Sequence, residues 1–143
     1  MNTHVTFVTD AFEMETPKEN FINPCCFGED CANWLQNRLK ESGLEANEVF
    51  QEDWGWCFFV KINQYNFWIG IGLVDDEKTW MVFSESGLGR IKRWLGHTDS
   101  SEQQTLSVTI DEALKSSSHI KDIKWFTKEN FTGSGDKWAN SPT

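Results

Sequence analysis

Gly55-Trp-Cys-Phe-Phe-Val-Lys-Ile62, Phe67-Trp-Ile-Gly-Ile-Gly-Leu73 and Thr79-Trp-Met-Val-Phe83 follow one another with only a few polar residues between them. Runs of aromatic and β-branched residues this short, broken at Asn63-Gln64 and at Val74-Asp-Asp-Glu-Lys78, are too brief for helices of ten or more residues. They predict hairpin-linked strands in an antiparallel meander. In the second run Phe67, Ile69, Ile71 and Leu73 project to one side, and Trp68, Gly70 and Gly72 to the other, because successive side chains alternate. Two glycines leave that second side without side chains. A shallow groove floored by Gly70 and Gly72 and walled by Trp68 is therefore expected there as the place for a partner or ligand.

On the N-terminal side of the meander, Leu44 to Phe50 reads as a strand leading into it. Before that strand, Cys31, Ala32, Trp34, Leu35 and Leu39 recur at three- and four-residue intervals, which predicts a helix over 28–42 with one apolar side. Glu29 and Asp30 in its first turn and Arg38 and Lys40 near its end complement the helix dipole, and Gly43 suits the left-handed position after the last turn. Residues 10–24, acidic and carrying Pro17 and Pro24, read as a connecting arm anchored by Phe21 and Ile22. Val5-Thr-Phe-Val8 reads as a first strand at a sheet edge.

On the C-terminal side, 84–89 reads as a loop and 90–95 as a helical turn. Asp99 and Glu102 have the spacing of a capping box. A second long helix follows, with Leu106, Ile110, Ala113 and Leu114 inward, ending at Ser116-Ser-Ser118. Ile123 with Trp125 or Phe126 predicts a last strand. The expected fold class is α+β: a two-layer sandwich whose mostly antiparallel sheet of five to six strands carries both long helices on one face. Residues 1–127 form the single domain and 128–143 a polar tail whose Gly and Ser content suits disorder.

The 143 residues carry eight Trp and eleven Phe, more large rings than one core of this size absorbs. Some of them are expected at the surface, which is the first indication of a binding face. The formal charge is −9, which argues against a nucleic-acid partner, since phosphate neutralisation needs clustered Lys and Arg. Charge is also unevenly distributed: eleven acids face three bases between Asp10 and Asp53. Arg90, Lys92 and Arg93 make the one basic island. No run approaches the apolar length of a membrane span and no secretion signal opens the chain, so no membrane partner and a cytoplasmic location are expected. There the four cysteines would be reduced thiols rather than two disulfides.

Cys25, Cys26 and Cys31 near a helix N-terminus have the makings of reactive thiolates, but their spacing lacks the pairing and the fourth ligand of a zinc site. They read as packing residues, and neither a metal nor a cofactor is expected. Glu52-Asp-Trp-Gly-Trp56 sets two carboxylates beside two indoles, the environment that raises the pKa of a general acid. Its simpler reading is a tight turn before a strand. Ser86-Gly-Leu-Gly-Arg-Ile-Lys-Arg93 has glycine amides and cations suited to an anion, without the spacing of a P-loop.

Asn23-Pro24 followed by Gly28, Asp30, Ala32 and Trp34-Leu35, then Glu52-Asp-Trp-Gly-Trp56 and Trp68-Ile-Gly-Ile-Gly72, resemble a family of small bacterial proteins that carry an E-D-W-G-W-type turn into an aromatic strand. The likeness spans residues 20–126 in outline. It implies the single-domain reading and a bacterial cytoplasmic setting, and attaches no activity and no functional residue.

Lopsided charge, surplus Trp and the lack of a catalytic constellation point to a non-enzymatic protein-binding module, immunity- or antitoxin-like in one concrete form. Glu48, Glu52 and Asp53 would meet a basic partner, and Trp34, Trp54, Trp56 and Trp68 would supply the anchoring rings. The alternative is a small enzyme or anionic-ligand-binding domain. In it Glu52 or Asp53 acts as acid or base and Arg90 or Arg93 holds the substrate at the Gly70–Gly72 groove. A homodimer through the exposed rings is a third possibility.

Overall fold

The computed structural model describes residues 1–12, 27–75, 77–87 and 100–143. Residues 13–24 of the connecting arm, Cys25 and Cys26, the basic island with Arg90, Lys92 and Arg93, and Asp99 lie outside the described residues. Strand β1 (Asn2–Val8) is followed by helix α1 (Glu29–Glu41), then β2 (Glu45–Ala46), β3 (Phe50–Glu52), β4 (Gly55–Ile62), β5 (Tyr65–Leu73) and β6 (Thr79–Ser86). Helix α2 (Ser100–Lys115), strand β7 (Lys121–Thr127) and helix α3 (Lys128–Thr132) complete the chain. The fold is α+β, with one seven-stranded sheet in the order β2-β4-β5-β6-β1-β7 and β3 also paired to β4. Every ladder is antiparallel.

The meander forms as the sequence predicts, with Val60 opposite Phe67 and Gly70 opposite Phe83. Asn63 turns the first hairpin at φ 54°, a left-handed conformation that asparagine tolerates better than most residues. At the second turn, Asp75 Oδ1 accepts the amides of Glu77 and Thr79 at 2.9 and 3.3 Å.

Three expectations change. The sheet has seven strands rather than five to six, because the stretch expected as one strand is interrupted. Ala46 pairs with Val60 and Phe50 with Cys57, so three residues, 47–49, face two on β4. This is a β-bulge on an edge strand. Asn47 holds it: its amide donates to the Phe59 carbonyl at 3.1 Å, its Oδ1 accepts from Phe59 N at 2.5 Å, and its carbonyl accepts from Gln36 Nε2 at 2.6 Å. Second, β6 runs on to Ser86 instead of ending in a loop after Phe83. Ser84 keeps the alternation because it is an internal polar residue, 2% exposed, whose hydroxyl accepts from Gln103 Nε2 of α2 at 2.7 Å. Third, β1 is not an edge strand. It lies between β6 and β7, as befits a strand whose Val5 and Phe7 are both fully buried.

The register sorts the sheet into two faces. Val5, Phe7, Phe58, Val60, Phe67, Ile69, Ile71, Trp80, Val82 and Trp125 share one core cluster with Cys31, Ala32, Leu35 and Leu39 of α1 and Leu106, Ile110, Ala113 and Leu114 of α2. Gly43 leaves α1 at φ 93° and donates to the Lys40 carbonyl at 3.0 Å, the left-handed exit that its sequence position predicts. On α2, Asp111 is 8% exposed. It accepts the Trp125 indole N–H at 2.8 Å and the Lys115 ammonium at 2.7 Å. Asp111→Ala would leave that indole nitrogen buried without its acceptor. The variant is expected to lose about 1–3 kcal/mol in urea unfolding.

After β7 the chain turns into α3, capped by Thr127 Oγ1, which accepts from Asn130 N at 3.2 Å. Ala139 then pairs with Trp125 through two backbone hydrogen bonds of 2.8 Å.

Candidate functional site

The second sheet face carries an aromatic surface that the register explains. Phe50, Cys57, Gly70, Phe83, His4 and Phe126 stand opposite one another from strand to strand, as do Phe59, Trp68 and Glu85. Directly opposed residues in an antiparallel sheet share a face. The rings form a connected surface. Phe50 stacks on Phe59 at 5.8 Å, and Trp54 meets Phe83 at 5.2 Å and Trp68 at 5.9 Å, with Trp68 edge-on to Phe83 at 5.7 Å.

Trp54 belongs to this surface through the β3–β4 turn, which returns the chain in two residues, Asp53 and Trp54, between the paired Glu52 and Gly55. The indole folds back over β5. A Cβ placed on Gly70 would overlap the Phe83 ring and Cη2 of Trp54. The expected groove is therefore filled at Gly70. The glycine is there so that two rings can lie directly on the backbone. At this point the face is covered by aromatic rings.

Exposure decides which rings can meet a partner. Trp54 is 41% and Phe59 42% exposed, whereas Trp56 is only 4% exposed with its ring in the core. Trp56 therefore leaves the set of surface anchors, because register puts it on the helix-covered face opposite Ile71. Trp68 is half-buried within the aromatic surface. Trp34 is half-buried too, but it sits on α1 beside Phe12 at 5.9 Å and under the Arg38 guanidinium at 5.8 Å, away from the other rings. Sequence reasoning missed Phe50, Phe59 and Phe83. Their signal was the alternation of β4 and β6, which puts them on the same side as Trp68.

Glu48, Glu52 and Asp53 are exposed, as is Glu45. All four belong to the edge formed by β2, β3 and their turn, beside Phe50 and Phe59. Neither Glu52 nor Asp53 is buried against an indole, so the setting imagined for a general acid is absent. Arg90 and Arg93 lie outside the described residues, and the juxtaposition of the Asp53 turn with the basic island belongs to that undescribed part.

Two thiols are described, and both are buried and free. Burial pushes the Cys57 thiol up to about 12, with the Glu52 charge adding to the rise. Cys31 is raised well above the ordinary thiol range, first by burial and then by the Asp30 charge. Both shifts favour the protonated thiol, and Cys31, fully buried, packs within the core cluster. Cys25 and Cys26 lie outside the described residues. Among the described residues no group of three or more His, Cys, Asp and Glu side chains converges to hold a metal, and no helix is long and apolar enough to cross a membrane.

No protein-family model, no curated protein and no solved structure matches this chain.

Proposed function

We propose that this chain is a non-enzymatic protein-binding module that presents the open face of its sheet to a basic protein partner. One observation carries the reading: two large rings, Trp54 and Phe59, stand 41% and 42% exposed on one aromatic face, and exposed Glu45, Glu48, Glu52 and Asp53 border it. Rings of this size anchor interfaces when covered, and acids around them select and steer a cationic partner. An immunity- or antitoxin-like role, in which such a face occludes the basic active site of a toxin, is its most concrete form. The two buried free thiols suit a reducing, cytoplasmic setting.

The partner approaches the face and not the strand edge. A bulge and exposed carboxylates on the β2–β3 edge are devices that discourage strand addition. A second copy of the chain fits less well than a basic partner, since both copies would carry a net charge of −9 and the same acidic border. Trp54 and Phe83 occupy the Gly70 part of the groove on which the enzyme alternative rests, which favours the aromatic surface as the site.

The test is affinity capture at low and then high salt with the folded protein as bait, repeated with the double variant Trp54→Ala, Phe59→Ala. Wild type is expected to retain a basic protein that elutes as salt rises. The double variant should bind it at least about 30-fold more weakly, the effect of losing a hot spot, while unfolding at nearly the same urea concentration. Equal capture by the variant would refute this face as the binding surface.

A further inference from the structure

The aromatic row continues past Phe83, and there it is covered. His4 stands opposite Phe83 on one side and Phe126 on the other. Its ring stacks on Phe83 at 5.5 Å with an interplanar angle of 19°, and meets Phe131 of α3 at 5.0 Å and 32°. Phe131 also closes edge-on upon Phe126 at 5.7 Å. His4 is 5% exposed, although it points to the same face as the exposed rings.

The cover is lightly held. Helix α3 is five residues long and none of them is buried. A helix so short does not persist without tertiary contacts. Among the described residues its ties to the sheet are Phe131, seated on His4 and Phe126, one exposed ion pair between Lys128 Nζ and Glu85 at 2.8 Å, the Thr127 cap at its start and, past its end, the Ala139–Trp125 backbone pair. Beyond the helix, Gly135 turns the chain at φ 72°, a left-handed conformation that glycine adopts readily.

We propose that His4 is an acid-operated latch: its neutral ring docks α3 through Phe131, and protonation releases α3 and lengthens the exposed aromatic strip of the binding face. This regulates the face assigned above to a partner, yet release itself can be measured with no partner present.

The ring is hydrogen-bonded at Nδ1 to Thr3 Oγ1 at 3.0 Å. The charged groups that face it are Glu85 from β6 and Lys128 and Glu129 from α3. Burial holds the His4 imidazole below its ordinary value of 6.5, against the pull of Glu85, and with Lys128 acting in the same direction and Glu129 in the opposite one. The sign follows. The docked state binds the proton less well than the released state, so docking is at full strength above about pH 6.5 and weakens as pH falls from there towards the lowered value. Between those limits docking weakens as pH falls, by at most about tenfold per pH unit for one proton.

Amide exchange at Gly133 and Gly135 reads the latch, because their N–H groups donate to the Glu129 and Asn130 carbonyls at 3.0 and 3.1 Å. Protection, corrected for intrinsic exchange, is compared at pH 7.5 and 5.5 in wild type, His4→Phe and Phe131→Ala. Wild type should lose several-fold protection at these two amides at pH 5.5 while the β5 amides keep theirs. His4→Phe should be flat across the range, and Phe131→Ala unprotected at both pH values. A flat wild-type response, or a His4→Phe response as steep as wild type, overturns the proposal. Should His4→Phe fail to fold, wild type at pH 5.5 is set against Phe131→Ala at pH 7.5. Wild-type protection reduced towards that of Phe131→Ala supports the latch, and wild-type protection unchanged from pH 7.5 overturns it.

Discussion

Gly55→Ala is expected to cost about 3 kcal/mol of unfolding free energy, the upper end of what an overpacked core position loses. A Cβ at this position would run into the Ile71 carbonyl of the neighbouring strand. The oxygen belongs to a backbone held in the β4–β5 ladder, where Trp56 pairs with Ile71, so it cannot turn aside as a side chain does. Relief requires β4 and β5 to separate at the root of the meander. Gly70→Ala is the instructive contrast. Its added carbon meets the rings of Phe83 and Trp54, and Trp54, 41% exposed, can swing outward. A smaller loss of about 1–2 kcal/mol is expected, with tryptophan emission shifted to longer wavelength. Urea unfolding followed by circular dichroism ranks the two. Equal and negligible losses would show that neither strand approach is as close as described.

Reversing Glu48, Glu52 and Asp53 to lysine is expected to slow association with the captured partner at least about tenfold at low salt. The three carboxylates are exposed on a strand edge and its turn, so their charge acts on the encounter rather than on the core. Coulombic steering of this kind is screened over about 8–10 Å at physiological ionic strength. The rate difference between wild type and the triple variant should therefore shrink as salt is added, while dissociation changes much less. Stopped-flow or surface-based kinetics at two ionic strengths measure this directly. An association rate indifferent to the reversal would remove the electrostatic half of the proposal and leave the aromatic half standing.

The meander was legible because three aromatic and β-branched runs, bounded by turn-forming residues, allow little else. Both long helices were legible from periodicity, since Leu35 and Leu39, or Leu106 and Ile110, fall on one side at helical spacing. Strand order was not. Local pattern gave Val5 and Phe7 as an alternating pair, but only pairing across long sequence distance makes β1 an inner strand between β6 and β7. The bulge at 47–49 escaped notice because its cause is a side chain, Asn47, that bonds the backbone of a distant strand. Ser84 and Ser86 read as loop by composition, yet Gln103 of α2 satisfies Ser84 inside the fold.

At the candidate site, Gly70 and Gly72 were taken as the floor of an open groove. At Gly70 it is filled, because nothing in Gly70-Ile-Gly72 reveals that the Trp54 ring folds back over it. Trp56 was counted as a surface ring, whereas one step of alternation from the turn sends it into the core and Gly55 to the open face. The acids of the edge were visible from composition alone. Their neighbours Phe50 and Phe59 needed the register.

The most direct test of the account is the amide-exchange footprint of the captured basic partner on this chain. Burial of the open face predicts new protection across the Asp53–Trp54 turn and along β4 and β5 near Phe59 and Trp68, with α1 and α2 unchanged. A footprint confined to the outer surfaces of α1 and α2 would contradict the assignment of the aromatic face.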